Sequence, residues 1–224
     1  MPNDKYEFGE AWRERMLTAA DDVRCIIDRG YGITSAVSFV GNHYQLSERQ
    51  RAALIRGLVE KSRLAGRKEK ERQNIGGAVF VDGFNTVITL EVALSGSLIV
   101  ACDDGSLRDL AGLHGTYRLV DKTTAAVGLM LDELAELSAG EITVYLDRPV
   151  SNSGRLMALM AEMGEARNLP LTVELVPDVD KRLIEKPLVI TSDGIILDKC
   201  GGWFNLNRRI VQKRIQSAWI YTLR

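Results

Sequence analysis

Residues 76–88 read GGAVFVDGFNTVI, and this stretch decides the fold. Ala78, Val79, Phe80 and Val81 form a short apolar run that ends on Asp82, and by Asn85 the chain is ready to begin a helix. A short, bounded apolar run of this kind reads as a strand buried on both faces, as in a parallel sheet. What needs explaining is why the strand closes on a charge.

The same event recurs along the chain. LIVAC (98–102) runs into Asp103 and Asp104, ITVYL (142–146) into Asp147, LTVELVP (171–177) into Asp178, and LVITS (188–192) into Asp193. Between these runs lie residues 85–94, 121–137 and 153–167, opening on Asn85, Asp121 and Ser153, residue types that cap helices. Alternation of strands with helices predicts an α/β fold with a parallel sheet under covering helices. In such a sheet the carboxyl ends share one edge, and ligands bind in the crevice beyond it. Adjacent strands are about 4.8 Å apart, so aspartates at several strand ends are expected to share one small volume. Crowded carboxylates raise each other's pKa, and a divalent cation relieves the repulsion. An all-oxygen donor set with no His or Cys cluster favours Mg²⁺ or Mn²⁺ over zinc. Any single aspartate after a strand also suits a helix cap or turn. Asp82, Asp147 and Asp193 stand apart because each carries its own polar signature, DGFN, DRPVSNSG and TSDG.

Upstream of residue 75 the texture is helical. Trp12, Met16, Ala19, Val23 and Ile26/Ile27 recur at helical spacing over residues 10–29, with Gly30 placed to cap the C-terminus. After a short apolar piece at residues 36–40, Ser47-Glu48-Arg49-Gln50 fits a capping box, and Leu54, Ile55, Leu58, Val59 and Ser62 trace one face of a second long helix. The expected organisation is a helical N-terminal module, 1–74, followed by an α/β domain, 75–224.

Bulk composition narrows the class. The chain has 224 residues, 46% hydrophobic and 26% charged, enough for a substantial core. MPNDKYEFGEAW holds no apolar signal segment, and no run approaches the roughly 18 apolar residues that span a bilayer. A cytoplasmic protein without membrane contact is expected. Cys25, Cys102 and Cys200 are dispersed and form no CxxC, so reduced thiols are expected. The net charge of −1 hides segregation: residues 43–74 carry nine Lys/Arg against four Glu, and the chain after Asp198 carries six Lys/Arg and no acid. Basic faces beside an acidic pocket suit a polyanion held for metal-dependent chemistry.

VDGFN after a buried strand, LD at a middle strand and ITSDG at a late one resemble the PIN-like and NYN ribonuclease superfamily over residues 77 to about 200. DRGYGITSAVSFVGNHYQLSERQRAAL, VDGFNTVITLE, RDLAGLHGTYR and LDRPVSNSG together resemble an uncharacterised prokaryotic family of unknown function grouped with PIN-like proteins. The resemblance implies a three-layer α/β/α domain with a mainly parallel central sheet, a Mg²⁺ or Mn²⁺ site, and RNA as partner, with DNA and the oligomeric state left open. It implies Asp82, Asp147 and Asp193 as metal ligands and catalytic acids, with Asn85 as the polar partner. The second acidic position is shared among Glu91, Asp104 and Asp109. Ser192 is expected to orient water or substrate with Asn85.

Two loops are too polar for plain connectors. CDDGSLRDLAGLHGTYR (102–118) offers Arg108 and His114 to substrate, and DRPVSNSG (147–154) offers Arg148 together with Ser151, Asn152 and Ser153 at a helix start, where exposed amides favour phosphate. Trp203 and Tyr117 are candidates to stack on bases. Two other readings compete. A non-catalytic RNA-binding or interaction module would keep the fold without the chemistry. A haloacid-dehalogenase-type phosphatase needs a second carboxylate two residues after Asp82, where Phe84 stands.

Overall fold

A computed structural model describes residues 3–111 and 116–224. Helices α1 (Asp4–Glu7), α2 (Glu10–Ile27), α3 (Ile33–His43), α4 (Glu48–Gly57) and α5 (Lys61–Lys70) come first. There follow β1 (Val79–Asp82), α6 (Gly83–Leu94), β2 (Leu98–Ala101), β3 (Leu107–Asp109), α7 (Thr123–Glu136), β4 (Ile142–Asp147) and α8 (Ser153–Glu165). The chain closes with β5 (Leu171–Val176), α9 (Val179–Leu183), β6 (Val189–Ile190), α10 (Gly194–Lys199), α11 (Leu206–Arg214) and β7 (Trp219–Thr222).

The protein is a mixed α/β structure around a four-stranded parallel sheet of order β5-β4-β1-β6. Alternate residues of β1 point to opposite faces, and each face has its own cover. Val79, Val81, Ile142, Val144, Leu146 and Ile190 share a core with α6, α7 and α8. Phe80, Tyr145 and Val189 pack on the other side with Val179, Leu183, Ile196, Leu197 and Trp203, from α9, α10 and the segment after it. Asp82 stands opposite Tyr145, and Val81 opposite Ile190, so the carboxyl ends of β1, β4 and β6 meet at one edge. From β1 the chain builds outward to β4 and β5, then crosses back to β6 on the other flank of β1. The order therefore reverses between β1 and β6, and the loops there separate to leave a crevice.

Three expectations need correction. β2 is not in this sheet: it pairs antiparallel with β3 (Ile99 opposite Asp109) and parallel with β7 (Leu98 opposite Trp219) in a second, three-stranded sheet. Asp103 and Asp104 therefore do not end on the common edge. β5 is an edge strand with alternating burial, not a strand buried on both faces. The helix expected to run from Ser47 through Ser62 breaks after Gly57. A Cβ there would meet Leu223 Cδ1 at 2.6 Å and Val100 Cγ1 at 2.9 Å, so the helix end abuts the second sheet. Asp103 N donates to Gly57 O (2.8 Å), and Val59 N donates to Asp103 Oδ2 (3.2 Å), which turns the chain toward α5.

The N-terminal helices share their core with this second sheet. Met16, Ala19, Val23, Val37, Val40 and Leu54 pack with Leu98, Val100, Tyr221 and Leu223. The capping box of α4 forms as Ser47 and Gln50 exchange side chain to backbone bonds. Among the described residues, no helix is long and apolar enough to cross a membrane.

Candidate functional site

Asp82 ends β1 and caps α6, accepting from Asn85 N (3.3 Å) through Oδ1. Its Oδ2 accepts from the Thr191 hydroxyl across the reversal point (2.9 Å), and Thr191 Oγ1 in turn accepts from Asp193 N (3.0 Å). Asp193 caps α10, accepting from Ile195 N (2.7 Å) and Ile196 N (3.3 Å). Asn85 Oδ1 takes both the backbone N–H (2.8 Å) and the hydroxyl (3.0 Å) of Ser192. These bonds tie the loop after β6 to the first turn of α6, so the aspartates of two strand ends are held in a fixed relation.

Beyond that edge lies a cavity of about 420 Å³, lined by Asp82, Asp109, Asp147, Asp180 and Asp193, with Arg56, Arg108, Asn85 and Ser192. Asp147 follows β4 and accepts from Val179 N (3.3 Å). Asp109 ends β3, accepting from Ala111 N (2.8 Å), while Arg56 reaches its carboxylate at 3.4 Å. Burial pushes the Asp82 carboxyl up to about 7; bonds from Thr191 and Asn85 oppose this, and Asp193 and Asp180 reinforce it. Asp180 is also raised, by burial and then by Asp193, Asp147 and Asp178. Burial raises Asp147 as well, with Asp178 adding to it. The cavity thus concentrates negative charge that its own hydrogen bonds do not neutralise.

The donor set fits a hard cation in charge but not as a ready chelate. Among the described residues, no three His, Cys, Asp or Glu side chains are grouped closely enough to hold a metal ion. A Mg²⁺ or Mn²⁺ ion held by one or two carboxylates keeps several waters.

Of the expected site residues, Asp82, Asp147, Asp193, Asn85, Ser192, Asp109 and Arg108 line the cavity. Asp104 does not. It is buried and accepts from Arg67 Nη1 (2.7 Å), Arg108 Nη2 (3.2 Å) and Ser106 Oγ (2.6 Å). Burial alone would raise its pKa, but Arg108, Ser106 and Arg67 together lower it. Glu91 is buried too, where it accepts from Tyr117 Oη (2.5 Å) and from Thr123 Oγ1. Asp109 is therefore the candidate second acid that faces the cavity.

Arg148 and residues 151–153 lie outside the cavity lining. Ser151 Oγ and Asn152 Nδ2 donate to Tyr117 O (3.0 and 2.7 Å), Arg148 Nη2 to Leu175 O (2.9 Å), and Ser153 Oγ weakly to Arg148 O (3.4 Å). Ser151 and Asn152 brace the segment leading into α7 through these side-chain bonds. His114 lies outside the described residues. Trp203 and Tyr117 are buried, so neither stacks on a ligand at the surface. Phe84 is buried against Tyr117, with ring centroids 5.1 Å apart.

Several side chains of the basic segments are engaged in ion pairs within the chain. Arg49 pairs with Asp4, Arg67 with Asp104 and Asp198, and Lys61 with Asp28. Arg209, Lys213 and Arg214 clasp Glu133 on α7. Two cavity residues escaped the sequence reading. Asp180 sits in the first turn of α9, two residues past the cap Asp178, and that PDVD spacing was its signal. Arg56 comes from α4, and nothing local in the sequence indicates where it points.

A family model described as Domain of unknown function (DUF5616) matches residues 72–209, and one described as Protein of unknown function (DUF434) matches residues 15–70. An uncharacterized protein of Methanocaldococcus jannaschii is 35% identical over 182 residues, covering 80% of this chain and 87% of the relative. No solved structure matches.

Proposed function

The chain belongs to the DUF5616 family, and from its acidic cavity we propose that it is a Mg²⁺- or Mn²⁺-dependent nuclease that hydrolyses phosphodiester bonds, with RNA as the favoured substrate and DNA as the alternative. The observation that carries this is the meeting of five aspartates in one cavity, three of them from the carboxyl edge of the parallel sheet, with Asp82 raised to about 7. Acids after β1, β4 and β6, in a sheet whose order reverses beside β1, support the resemblance to PIN-like and NYN nucleases.

In this reading one or two of Asp82, Asp147 and Asp193 would bind the cation directly, and the remaining aspartates of the cavity, Asp109 and Asp180 among them, would reach it through its waters. A divalent cation so held lowers the pKa of water and offsets charge developing on a phosphate. Arg56 and Arg108, on the same cavity, attract the phosphate oxygens and orient the strand. Asn85 and Ser192 keep the loop carrying Asp193 in place.

The test is Mn²⁺-dependent cleavage of mixed RNA and single-stranded DNA by wild type and by Asp82→Asn, purified identically. Loss of cleavage in the variant alone supports the reading, and equal cleavage by both assigns the activity to a contaminant. Among the described residues no three carboxylates are grouped closely enough to hold a metal ion, and this favours a second reading, a non-catalytic nucleic-acid-binding or interaction module. Failure of wild type to bind Mn²⁺ by electron paramagnetic resonance would select it.

A further inference from the structure

A second cavity, of about 330 Å³, opens beside the acidic one and shares Arg108 and Asp193 with it. One wall comes from the N-terminal helices, the other from α10. Tyr31 stands in the turn between α2 and α3, where Gly30 takes a φ of +89° to reverse the chain. A Cβ on Gly30 or Gly32 would touch nothing within 4 Å, so no neighbour crowds the flanks of the turn. Tyr31 is 65% exposed, and Ile195 on the facing helix is 57% exposed. Ile55 is exposed on the same cavity. Large apolar side chains left in water on both walls of one cleft indicate a surface that a ligand covers.

The cleft carries three guanidinium groups, Arg63, Arg67 and Arg108, beside three carboxylates, Glu60, Asp193 and Asp198, and the guanidinium groups narrow the ligand class. Arg63 on this cleft is 62% exposed, and its pairs with Asp198 (3.5 Å) and Glu60 (4.0 Å) are long. Arg108 at the junction uses Nη1 on Arg56 O (2.8 Å) and Nη2 on Asp104, while its Nε makes no hydrogen bond among the described residues. A flat aromatic face beside guanidinium groups is the combination that binds single-stranded nucleic acid, bases stacking while the backbone follows the positive charge. The volume lies at the small end of ligand sites, roughly 300–1,000 Å³.

We propose that this cleft receives one unpaired nucleobase of a single strand, stacked on Tyr31, and passes the adjoining phosphodiester across Arg108 into the aspartate cavity. The inference rests on reading that cavity as a phosphodiester site. It makes the helical segment a recognition element that selects unpaired strands, since a base held in a duplex cannot enter.

Binding of fluorescein-labelled eight-nucleotide oligouridine and oligothymidine to the full chain, in EDTA to prevent cleavage, tests this by fluorescence anisotropy. Tyr31→Ala should weaken binding about tenfold, Tyr31→Trp should retain it, and duplex RNA of equal length should compete poorly. The two oligonucleotides distinguish an RNA strand from a DNA strand. Matched thermal melting of the three proteins excludes loss through unfolding. Equal affinity of wild type and Tyr31→Ala, or no binding of either strand by wild type, overturns the proposal. Tyr31-dependent binding without Mn²⁺-dependent cleavage keeps the base site and defeats the nuclease reading. Cleavage that Tyr31→Ala leaves untouched does the reverse.

Discussion

Replacing Asp82 with asparagine probes the field of the cavity while keeping its shape. An aspartate in the unfolded chain titrates near pH 3.9, whereas burial, reinforced by Asp193 and Asp180, lifts Asp82 to about 7. The folded protein therefore holds this proton more tightly than the unfolded chain. The resulting stabilisation is fully present below about pH 4 and is lost as pH rises through about 7. At about 1.4 kcal/mol per pH unit, a gap of roughly three units sets an upper limit of about 4 kcal/mol. Asparagine stays neutral throughout. It keeps one acceptor where Asp82 uses two, for Asn85 N and the Thr191 hydroxyl, and that loss costs about 1 kcal/mol. The variant should be about 1 kcal/mol less stable than wild type at pH 4 and more stable than it at pH 8, by at most about 3 kcal/mol. Urea unfolding followed by circular dichroism at both pH values measures the difference, in which the titrations of Asp147 and Asp180 largely cancel. A difference that does not change with pH refutes the electrostatic account. Saturating Mn²⁺ at pH 8 should stabilise wild type and leave the variant nearly unmoved, because a ligand stabilises only the state that binds it.

Three further outcomes follow from the packing. Gly83→Ala places a Cβ 2.5 Å from Leu146 Cδ2 and 2.8 Å from Val144 Cγ1, and should cost about 1–3 kcal/mol in urea unfolding; wild-type stability would show that α6 does not press on β4 as described. Glu91→Ala strips the acceptor from the buried Tyr117 and Thr123 hydroxyls and should cost about 2–4 kcal/mol with Mn²⁺ affinity unchanged; a fall in that affinity would return Glu91 to the metal shell. Native protein should expose one fast-reacting thiol, Cys25, to a chromogenic disulfide reagent. Cys102, pushed up to about 11 by burial, and Cys200, also raised by burial, should react only on unfolding. Three fast thiols would contradict the packing of β2 and α10.

The alternation of short Val/Ile/Leu runs with capped helices determined by itself that this chain folds as an α/β structure with a parallel sheet. Periodicity is a local property: a strand buried on both faces must be apolar throughout, and Asp82, Asp178 and Asp193 cap the helices that follow them. Those two facts also placed Asp82, Asp147 and Asp193 at strand ends.

Which strand ends meet is a long-range matter. β2 has the same apolar texture as β1, yet it joins β3 and β7, and β7 lies over a hundred residues away in a C-terminal segment whose sequence gives little strand signal. That choice removed Asp104 from the shared edge and left it paired with Arg67 and Arg108. Charge runs misled for a related reason. A lysine or arginine count says nothing about partners, and Glu133, Asp198 and Asp104 pair with Arg63, Arg67, Arg209, Lys213 and Arg214 from distant positions. Likewise, Trp203 and Tyr117 were legible as aromatics but not as buried, while the exposure of Tyr31 follows from a glycine turn and the packing of helices around it. Local patterning set the elements and the identity of their terminal residues, and only the tertiary contacts decided which of those carboxylates share a cavity and which are sealed in ion pairs.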